Sequence, residues 1–135
     1  MPKNDYRVFP RFFSSIKSNK PITIFKTGNQ TRTFCYVTDA ITAMFLVIIK
    51  GKSFVYNIGN DKPELTMNEL YKIIKKNIKK KIYAKNIEYP KNYPQVEPQR
   101  RRPNIDKLKK ELNFKNNVKI SEAVKRFYYW SKNYY

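Results

Sequence analysis

The most constraining feature of the chain is an almost uninterrupted apolar segment, Ala40–Ile49. It is too short to span a bilayer, which takes about 20 apolar residues. Thr38 is a plausible N-cap and Asp39 suits the positive end of a helix, so we expect a helix from there to about Lys50, ending near Gly51. A helix that is apolar nearly all round is normally buried on most sides. A domain this small can hardly cover such a helix alone, which indicates a missing partner surface.

Length and composition indicate one folded domain with a basic surface. The chain has 135 residues, 41% of them hydrophobic, and shows both helix-like and strand-like patches. We therefore predict a single domain over 1–135 of α/β (mixed α+β) class, with short strands and about five helices. The net charge of +19 favours anionic partners, namely nucleic acid, an acidic membrane surface or phosphorylated small molecules. A compositional bias toward lysine would give the same charge without any function.

The rarest residue types exclude several kinds of chemistry. The sequence has no histidine and one cysteine, Cys35. This excludes a disulfide within the chain, a Cys/His zinc site, and a serine or cysteine nucleophile with a histidine base. We predict no metal site, and we expect Cys35 to be a buried, inert thiol in a reducing, cytoplasmic setting. The N-terminus lacks the apolar core of a signal peptide, and no membrane association is expected.

Local signals place the remaining elements. Strands are expected at Ile22–Phe25, Thr33–Val37, Phe54–Ile58 and within Ile82–Tyr89. Helices are expected at Arg11–Ser18, after a capping box at Thr66–Glu69, at Ile105–Leu112 and after a cap at Ser121. The stretch Pro90–Pro103 carries four prolines and predicts an extended loop. A lysine stripe on the third helix is most simply a solvated face.

Two arginine features are candidates for anion binding. The three glycines, Gly28, Gly51 and Gly59, are too far apart to form a dinucleotide-binding loop or a P-loop. Arg32 follows the turn at Gly28, and Arg100–Arg102 lies near the end of the proline-rich stretch. Guanidinium groups form bidentate, charge-assisted hydrogen bonds with phosphate, so two arginines from separate segments could bind one diphosphate. The alternative is an ordinary surface run of charge.

Nucleic-acid binding is the competing hypothesis from another class. The net charge and the 11 tyrosines, which could stack on bases, speak for it. The tyrosines are scattered, however, and no basic region combines with aromatic residues at a known motif spacing. We therefore regard a nucleic-acid partner as the weaker hypothesis.

Five segments in a fixed order resemble a known enzyme family. They are "PITIF…GNQTRTFCYVTDA", "VYNIGN", "LTMNELYKII", "EPQRRRPNIDKLKKELNF" and "KISEAVKRFYYW". Together they resemble the C-terminal, substrate-binding part of extended short-chain dehydrogenases, the NAD-dependent epimerase/dehydratase family. UDP-glucuronate decarboxylases are the nearest match, followed by nucleotide-sugar epimerases and 4,6-dehydratases. The resemblance covers essentially the whole chain.

The resemblance implies substrate-binding roles for particular residues. They are Arg32 and Arg101 at the diphosphate, Asn104 near the ribose, Phe25 near the base, and Val8, Phe9 and Phe12 along the nucleotide. The family usually has aspartate at the position of Asn104, so the ribose contact would be uncharged here. Lys26 replaces a common glycine next to Phe25.

The catalytic parts of the family have no counterpart in the matched segments. Family members use NAD to take a hydride from the sugar and a Tyr-x-x-x-Lys pair as base, and both parts lie upstream of these segments. Two such strings occur here, Tyr71/Lys75 and Tyr128/Lys132, but both fall on amphipathic C-terminal helices, so we predict no catalytic residue. The resemblance thus implies a truncated portion, not catalytic alone, that binds a UDP- or dTDP-sugar.

The resemblance also carries expectations about cofactor and partners. This chain alone would bind no cofactor, whereas NAD would be held in the complete enzyme. A separate Rossmann half is a possible partner, and complete relatives form homodimers. A repurposed, non-catalytic binding or interaction module stays open as an alternative.

Overall fold

Helices and short strands alternate along the chain in the computed structural model, which describes residues 6–91, 93 and 97–134. The elements are α1 (Val8–Lys17), β1 (Ile22–Phe25), β2 (Thr31–Arg32), α2 (Val37–Lys50), β3 (Leu65–Thr66), α3 (Met67–Asn77), β4 (Ala84–Ile87), β5 (Arg100–Arg101), α4 (Asp106–Leu112) and α5 (Ile120–Tyr134). The predicted mixed α/β class with five helices and short strands is confirmed. No helix in these ranges is both long and apolar enough to cross a membrane.

The strands form two small sheets in the part of the chain that the structure describes. β1 pairs with β4 in parallel, from Ile22 opposite Ala84 to Phe25 opposite Ile87. The second sheet has the order β3-β2-β5, with β2 antiparallel to β3 and parallel to β5. This second sheet joins three distant segments of the sequence at one edge of the domain.

The main core lies between α1, β1, α3 and α5. Its buried residues are Phe12, Phe13, Ile16, Ile22, Ile24, Met67, Leu70, Ile74, Ile78, Ile82 and Val124. Leu70 and Ile74 are four residues apart on α3, which places them on one helix face, opposite the exposed lysines. Full burial of each such side chain stabilises the fold by about 1.5–3 kcal/mol.

A smaller core lies between α2 and α4. It consists of Ala43, Ile105, Leu108, Leu112 and Phe114. α2 therefore contributes little of its apolar surface to the interior. Its exposed large hydrophobic side chains are Val37, Ile41, Met44, Phe45, Ile48 and Ile49. We call this set the α2 apolar face.

A tight turn after β1 sets the position of β2. Gly28 adopts a φ of +72°, and a Cβ atom there would lie 2.6 Å from Ile24 Cγ2. The Gly28 carbonyl accepts the Met67 N–H at 3.0 Å, which ties the turn to the start of α3. That start is the predicted capping box: Thr66 Oγ1 accepts the Glu69 N–H at 3.1 Å, and Glu69 Oε2 accepts the Thr66 N–H at 2.8 Å.

The start of α2 differs from the prediction. The strand expected at Thr33–Val37 is instead Thr31–Arg32, because residues 31 and 32 are the ones that face β3 and β5. α2 begins at Val37 with Tyr36 at its N-cap, and no side chain caps it, so the predicted cap at Thr38 is wrong. Asp39 is buried, and its Oδ2 accepts the N–H groups of Asn117 and Val118 at 3.1 and 3.0 Å.

Other element predictions also need correction. The predicted strand Phe54–Ile58 is not a strand, because within the described residues no neighbouring strand pairs with it; Phe54 is fully exposed. The predicted loop Pro90–Pro103 contains β5, and its residues 92 and 94–96 lie outside the described residues. α1 begins three residues before Arg11, and Ser121 lies inside the first turn of α5.

Candidate functional site

The second sheet places Arg32 and Arg101 side by side. They are register partners on the parallel strands β2 and β5. Both line one concavity of about 400 Å³, which is also lined by Thr33, Cys35, Gly59, Asn60, Arg102 and Pro103. Arg32 therefore lies on a strand that follows the Gly28 turn, and the two distant arginines share one surface.

Arg32 is largely buried and already has partners. Its side chain is 13% exposed, Nη2 forms an ion pair with Glu97 Oε1, and Nη1 donates to the Thr31 carbonyl at 2.7 Å. The other carboxylate oxygen of Glu97 accepts the Tyr93 hydroxyl at 2.9 Å. Burial, together with this bond and the Glu97 charge, raises the pKa of Tyr93 to about 12. Glu97 thus holds a negative charge directly against the guanidinium that the resemblance assigns to the diphosphate.

Arg101 differs from its two neighbours in the arginine run. Arg100 forms a bidentate pair with Glu64, at 2.8 Å from Nε to Oε1 and 2.9 Å from Nη2 to Oε2. Arg102 Nη2 lies 3.7 Å from an oxygen of Asp61. Arg101 is exposed, and within the described ranges its guanidinium forms no ion pair. Of the three, Arg101 has its full set of donors available for an anion.

Glu64 and Asp61 hold the neighbouring cations in place. Glu64 Oε1 also accepts the Thr31 hydroxyl at 2.5 Å, and the bonds from Arg100 and Thr31 lower the pKa of Glu64 to about 2. Asp61 is buried and accepts Lys109 Nζ at 2.7 and 2.6 Å, which lowers its pKa. Both carboxylates therefore stay ionised at neutral pH, and Asp61 lies close to Arg102 at the wall of the concavity.

Asn104 lies at an adjoining concavity of about 240 Å³, which shares Arg102 and Pro103 with the first. Its Oδ1 accepts the Asp106 N–H at 2.9 Å at the start of α4. Its carbonyl accepts Asn57 Nδ2 at 3.0 Å. The Asn104 amide nitrogen stays exposed beside the arginines.

Phe25 lies in an aromatic and cationic cluster next to Glu97. Its ring is buried, with the Tyr89 and Tyr93 ring centroids each 5.0 Å away. Arg11 Cζ lies 3.7 Å from the Phe25 centroid, a cation–π contact. Burial lowers the pKa of Arg11, and the Tyr93 and Glu97 charges oppose that shift. This cluster connects Phe25 to Arg32 through Tyr93 and Glu97.

The predicted residues of α1 lie elsewhere. Phe12 is fully buried in the main core and offers no surface to a ligand, and Val8 packs against that core. Phe9 lines an apolar cavity of about 430 Å³ with Phe34, Phe127 and Trp130 among its walls. The structure therefore groups Arg32, Arg101 and Asn104, links Phe25 to them through the cluster, and separates Phe9 and Phe12.

Cys35 lies between the apolar cavity and the arginine concavity and lines both. Burial raises the pKa of its thiol, and the Asp39 carboxylate raises it further. Asn116 Nδ2 lies 3.5 Å from the sulfur. The thiol is therefore protonated at neutral pH. Cys35 is half-buried and not buried as predicted, because it lies at the walls of these two cavities.

Sequence reasoning missed Arg11, Asp61, Glu64 and Glu97. The sequence offered one signal for the acidic residues. The chain has 10 acidic against 29 basic residues, so each carboxylate is expected to pair with a lysine or an arginine, but its particular partner is not specified. The choice itself depends on contacts between distant segments. Sequence alone does not supply those contacts.

Comparisons with known proteins agree with this fold. Residues 1–59 match the NAD dependent epimerase/dehydratase family. UDP-glucuronic acid decarboxylase 6 of Arabidopsis thaliana is 34% identical over 121 residues, which cover 90% of this chain and 34% of the relative. UDP-glucuronate 4-epimerase of Thermodesulfobacterium geofontis is 32% identical over 129 residues, 95% of this chain and 38% of the relative.

Solved structures show the same architecture. The UDP-glucuronic acid 4-epimerase from Bacillus cereus, in complex with UDP-glucuronic acid and NAD, superposes with a TM-score of 0.82 at 25% identity. The match covers 96% of this chain and 41% of that one. A UDP-N-acetylglucosamine 4-epimerase from Methanobrevibacter ruminantium superposes with a TM-score of 0.84 at 24% identity, covering 98% of this chain and 42% of that one, and shows the fold.

The chain thus has the fold of a portion of an extended short-chain dehydrogenase. Its residues 1–59 match the NAD dependent epimerase/dehydratase family, and the chain is similar in sequence and fold to UDP-glucuronic acid decarboxylases and 4-epimerases, as the sequence resemblance predicted. It spans about a third of the length of the curated relatives it matches.

Proposed function

We propose that this chain binds a UDP- or dTDP-sugar, as the substrate-binding portion of an NAD-dependent enzyme of the UDP-glucuronate decarboxylase kind. One observation carries the proposal: Arg32 and Arg101, from distant segments, are register partners and line one concavity. A concavity of this size falls within the range of small-molecule sites. A diphosphate between the two guanidiniums would accept charge-assisted hydrogen bonds from both.

The other walls suit a nucleotide sugar as well. Arg101 offers an unpaired fork, and the Asn104 amide lies in the adjoining concavity where a ribose hydroxyl would be within reach. The buried aromatic cluster around Phe25 lies on the Glu97 side of Arg32. Phosphate, sugar and base would then meet different elements, each fixed by its own contacts.

We propose further that hydride transfer belongs to a dinucleotide-binding portion that holds NAD and not to this chain. Neither Tyr-x-x-x-Lys string lines the concavity: Tyr71 donates its hydroxyl to the Ile82 carbonyl at 3.2 Å, and Tyr128 packs against the main core. Such a portion would cover the α2 apolar face and supply a strand beside residues 54–58. This chain alone would not turn over substrate.

The remaining parts of the proposal concern the setting. With one cysteine and a protonated thiol, the chain suits the reducing cytoplasm. The assembled enzyme would be a homodimer, with NAD and a nucleotide sugar as its small-molecule partners.

Calorimetric titration with UDP tests the proposal. We expect binding by the wild type and at least about ten-fold weaker binding by Arg101→Gln, because a charge-assisted hydrogen bond is worth about 1.5–3 kcal/mol. Arg101→Gln is the more informative variant, because Arg101 is exposed and its loss leaves no carboxylate without a partner. Arg32→Ala is expected to weaken binding as well, with circular dichroism as a check on folding because Glu97 loses its partner.

A matched control removes one positive charge elsewhere. Arg126 is exposed on α5 and pairs with Glu122, so Arg126→Gln should leave UDP binding unchanged. Absence of UDP binding, together with strongly salt-dependent binding of an oligonucleotide, would overturn the proposal in favour of a nucleic-acid partner.

A further inference from the structure

Arg11 has two buried nitrogen atoms, Nε and Nη1, without a hydrogen-bond acceptor among the described residues. Its guanidinium lies over the Phe25 ring, so the cation–π contact stabilises the charge but satisfies neither N–H. Buried donors without acceptors are rare in folded proteins and cost about 1–3 kcal/mol each, more for charged groups. Arg11 is therefore a half-buried cation with two buried N–H donors that can each bind an acceptor.

The carboxylate of Glu97 is the candidate acceptor, because its negative charge acts on Arg11. It binds Arg32 and accepts the Tyr93 hydroxyl, and the Tyr93 ring packs against the same Phe25 ring that Arg11 covers. Burial lowers the pKa of the Arg11 guanidinium, and Tyr93 and then Glu97 act against that shift. One carboxylate thus lies within the electrostatic reach of two guanidiniums and pairs with only one of them.

We propose that Glu97 competes with the ligand's diphosphate for Arg32, and that Arg11 receives the Glu97 carboxylate when the diphosphate binds. This inference rests on the proposed function of the site. Glu97 is then a built-in competitor that holds Arg32 in its binding geometry. Arg11 is a positioning residue, because it acts on the ligand through Glu97.

The exchange follows from the cost of unpaired charge. Two anions cannot share one guanidinium fork without repulsion, so a phosphate at Arg32 displaces the carboxylate. A displaced, partly buried carboxylate without a partner would oppose binding strongly. The Nε–H and Nη1–H groups of Arg11 have no acceptor among the described residues, and either one can donate a charge-assisted hydrogen bond to that carboxylate.

Titration with UDP of four proteins tests the exchange: wild type, Glu97→Gln, Arg11→Met and the double variant. Glu97→Gln should bind UDP about ten-fold more tightly, because the charged competitor is gone. Arg11→Met should bind several-fold more weakly than the wild type, yet change nothing in the Glu97→Gln background. Arg11→Lys should restore most of the lost affinity, because an ammonium can also receive the carboxylate. Thermal melts check that each variant is folded; should Arg11→Met not fold, Arg11→Lys and Glu97→Gln still give the comparison.

The possible outcomes separate the inference from the proposed function. Weaker UDP binding by Glu97→Gln would show that Glu97 only orients Arg32 and would overturn the inference. Equal weakening by Arg11→Met in both backgrounds would also overturn it, since Arg11 would then act independently of Glu97. In either case UDP still binds and the proposed function stands. Absence of UDP binding by all four proteins would overturn the proposed function and the inference with it.

Discussion

Arg32 and Arg101 occupy paired positions on the neighbouring parallel strands β2 and β5. Paired positions place both side chains on the same face of a sheet, so two like charges lie close together. Glu97 neutralises Arg32, whereas Arg101 has no ion pair within the described part of the chain. The sheet therefore carries an uncompensated positive charge at Arg101, which an anion in the shared concavity would neutralise.

This relation predicts stabilisation by inorganic pyrophosphate. At a concentration about 100 times its Kd, a ligand of the folded state adds about 2.7 kcal/mol of stability, which raises Tm by several degrees in a domain of this size. We expect Arg101→Gln to lose most of that rise, because the unpaired fork is removed. Differential scanning calorimetry measures the change.

The control for pyrophosphate is Lys76→Gln. Lys76 lies exposed on α3, outside the residues that line the arginine concavity, and its loss removes the same charge. The rise in Tm should survive in this variant. An equal loss in both variants would mean that pyrophosphate stabilises the chain through net charge and not through a site.

The contacts of Asp39 predict how much stability is lost when its carboxylate is removed. Its buried carboxylate accepts two backbone N–H groups ahead of α5, so Asp39→Ala leaves both without a partner. A hydrogen bond to a charged group is worth about 1.5–3 kcal/mol, and because Asn117 is exposed and Val118 half-buried, water replaces part of the loss; we expect about 2 kcal/mol in urea unfolding. Thr38→Ala should stay within about 0.5 kcal/mol of the wild type, because Thr38 does not cap α2. A larger loss of stability in Thr38→Ala than in Asp39→Ala would indicate that Thr38 caps α2.

Local signals in the sequence predicted local structure well. The capping box at Thr66 and Glu69, the turn at Gly28 and the strand Ile22–Phe25 need only residues a few positions apart, and all three are present. The apolar run of α2 also predicted a helix with an uncovered surface, which the exposed side chains bear out. The family resemblance supplied Arg32 and Arg101 as a pair, and the register agrees.

Predictions failed where a distant segment decides the outcome. Residues 54–58 have the composition of a strand, but a strand needs a neighbour, and the described residues provide none. Thr38 favours a helix cap by type, yet Tyr36 takes that position; Asp39 lies in the first turn of α2 as predicted, but its side chain binds the segment before α5. The pairing of Arg32 with Glu97 joins β2 to the end of the proline-rich stretch, so no local pattern reveals it.

A methyl group added at Gly28 is expected to lower the stability of the fold strongly. The Gly28 φ of +72° is strained for any residue with a Cβ, and that Cβ would lie 2.6 Å from Ile24 Cγ2 and 2.7 Å from Asn68 Oδ1. A left-handed conformation costs about 1–3 kcal/mol and overpacking adds a similar amount, so Gly28→Ala should lose at least about 2 kcal/mol in urea unfolding. Gly59→Ala, where the nearest atom of Pro103 is 3.0 Å away, should lose less. Equal losses would contradict the account of the turn.

Glu64 predicts how stability changes in acid. Its pKa is about 2 in the folded chain and 4.5 as the ordinary value, so the group is depressed by folding. Its contribution is fully present above pH 4.5 and is lost as the pH falls toward 2. Near pH 3, unfolding should take up almost one proton at this residue. In Glu64→Gln, the free energy of unfolding should change less steeply with pH near pH 3, by the slope that corresponds to this proton. A slope equal to that of the wild type would contradict the pairing of Glu64 with Arg100.

The α2 apolar face predicts self-association of the chain on its own. Phe45 is 60% exposed and Ile48 78% exposed, and both point away from the small core around Ala43. Contiguous apolar surface of this kind is typical of an interface. We expect concentration-dependent association in sedimentation velocity and strong binding of the dye ANS. Phe45→Lys with Ile48→Lys should reduce both, with the unfolding free energy within about 1 kcal/mol of the wild type.

Tyr129→Lys is the matched control for this face. Tyr129 is 66% exposed on α5, so the substitution makes a similar chemical change away from α2, and it should leave association and ANS binding unchanged. A wild-type chain that sediments as a monomer and binds no ANS would contradict an uncovered α2 apolar face. Because the face and residues 54–58 would both meet the same dinucleotide-binding portion, that result would also remove the structural argument that such a portion packs here.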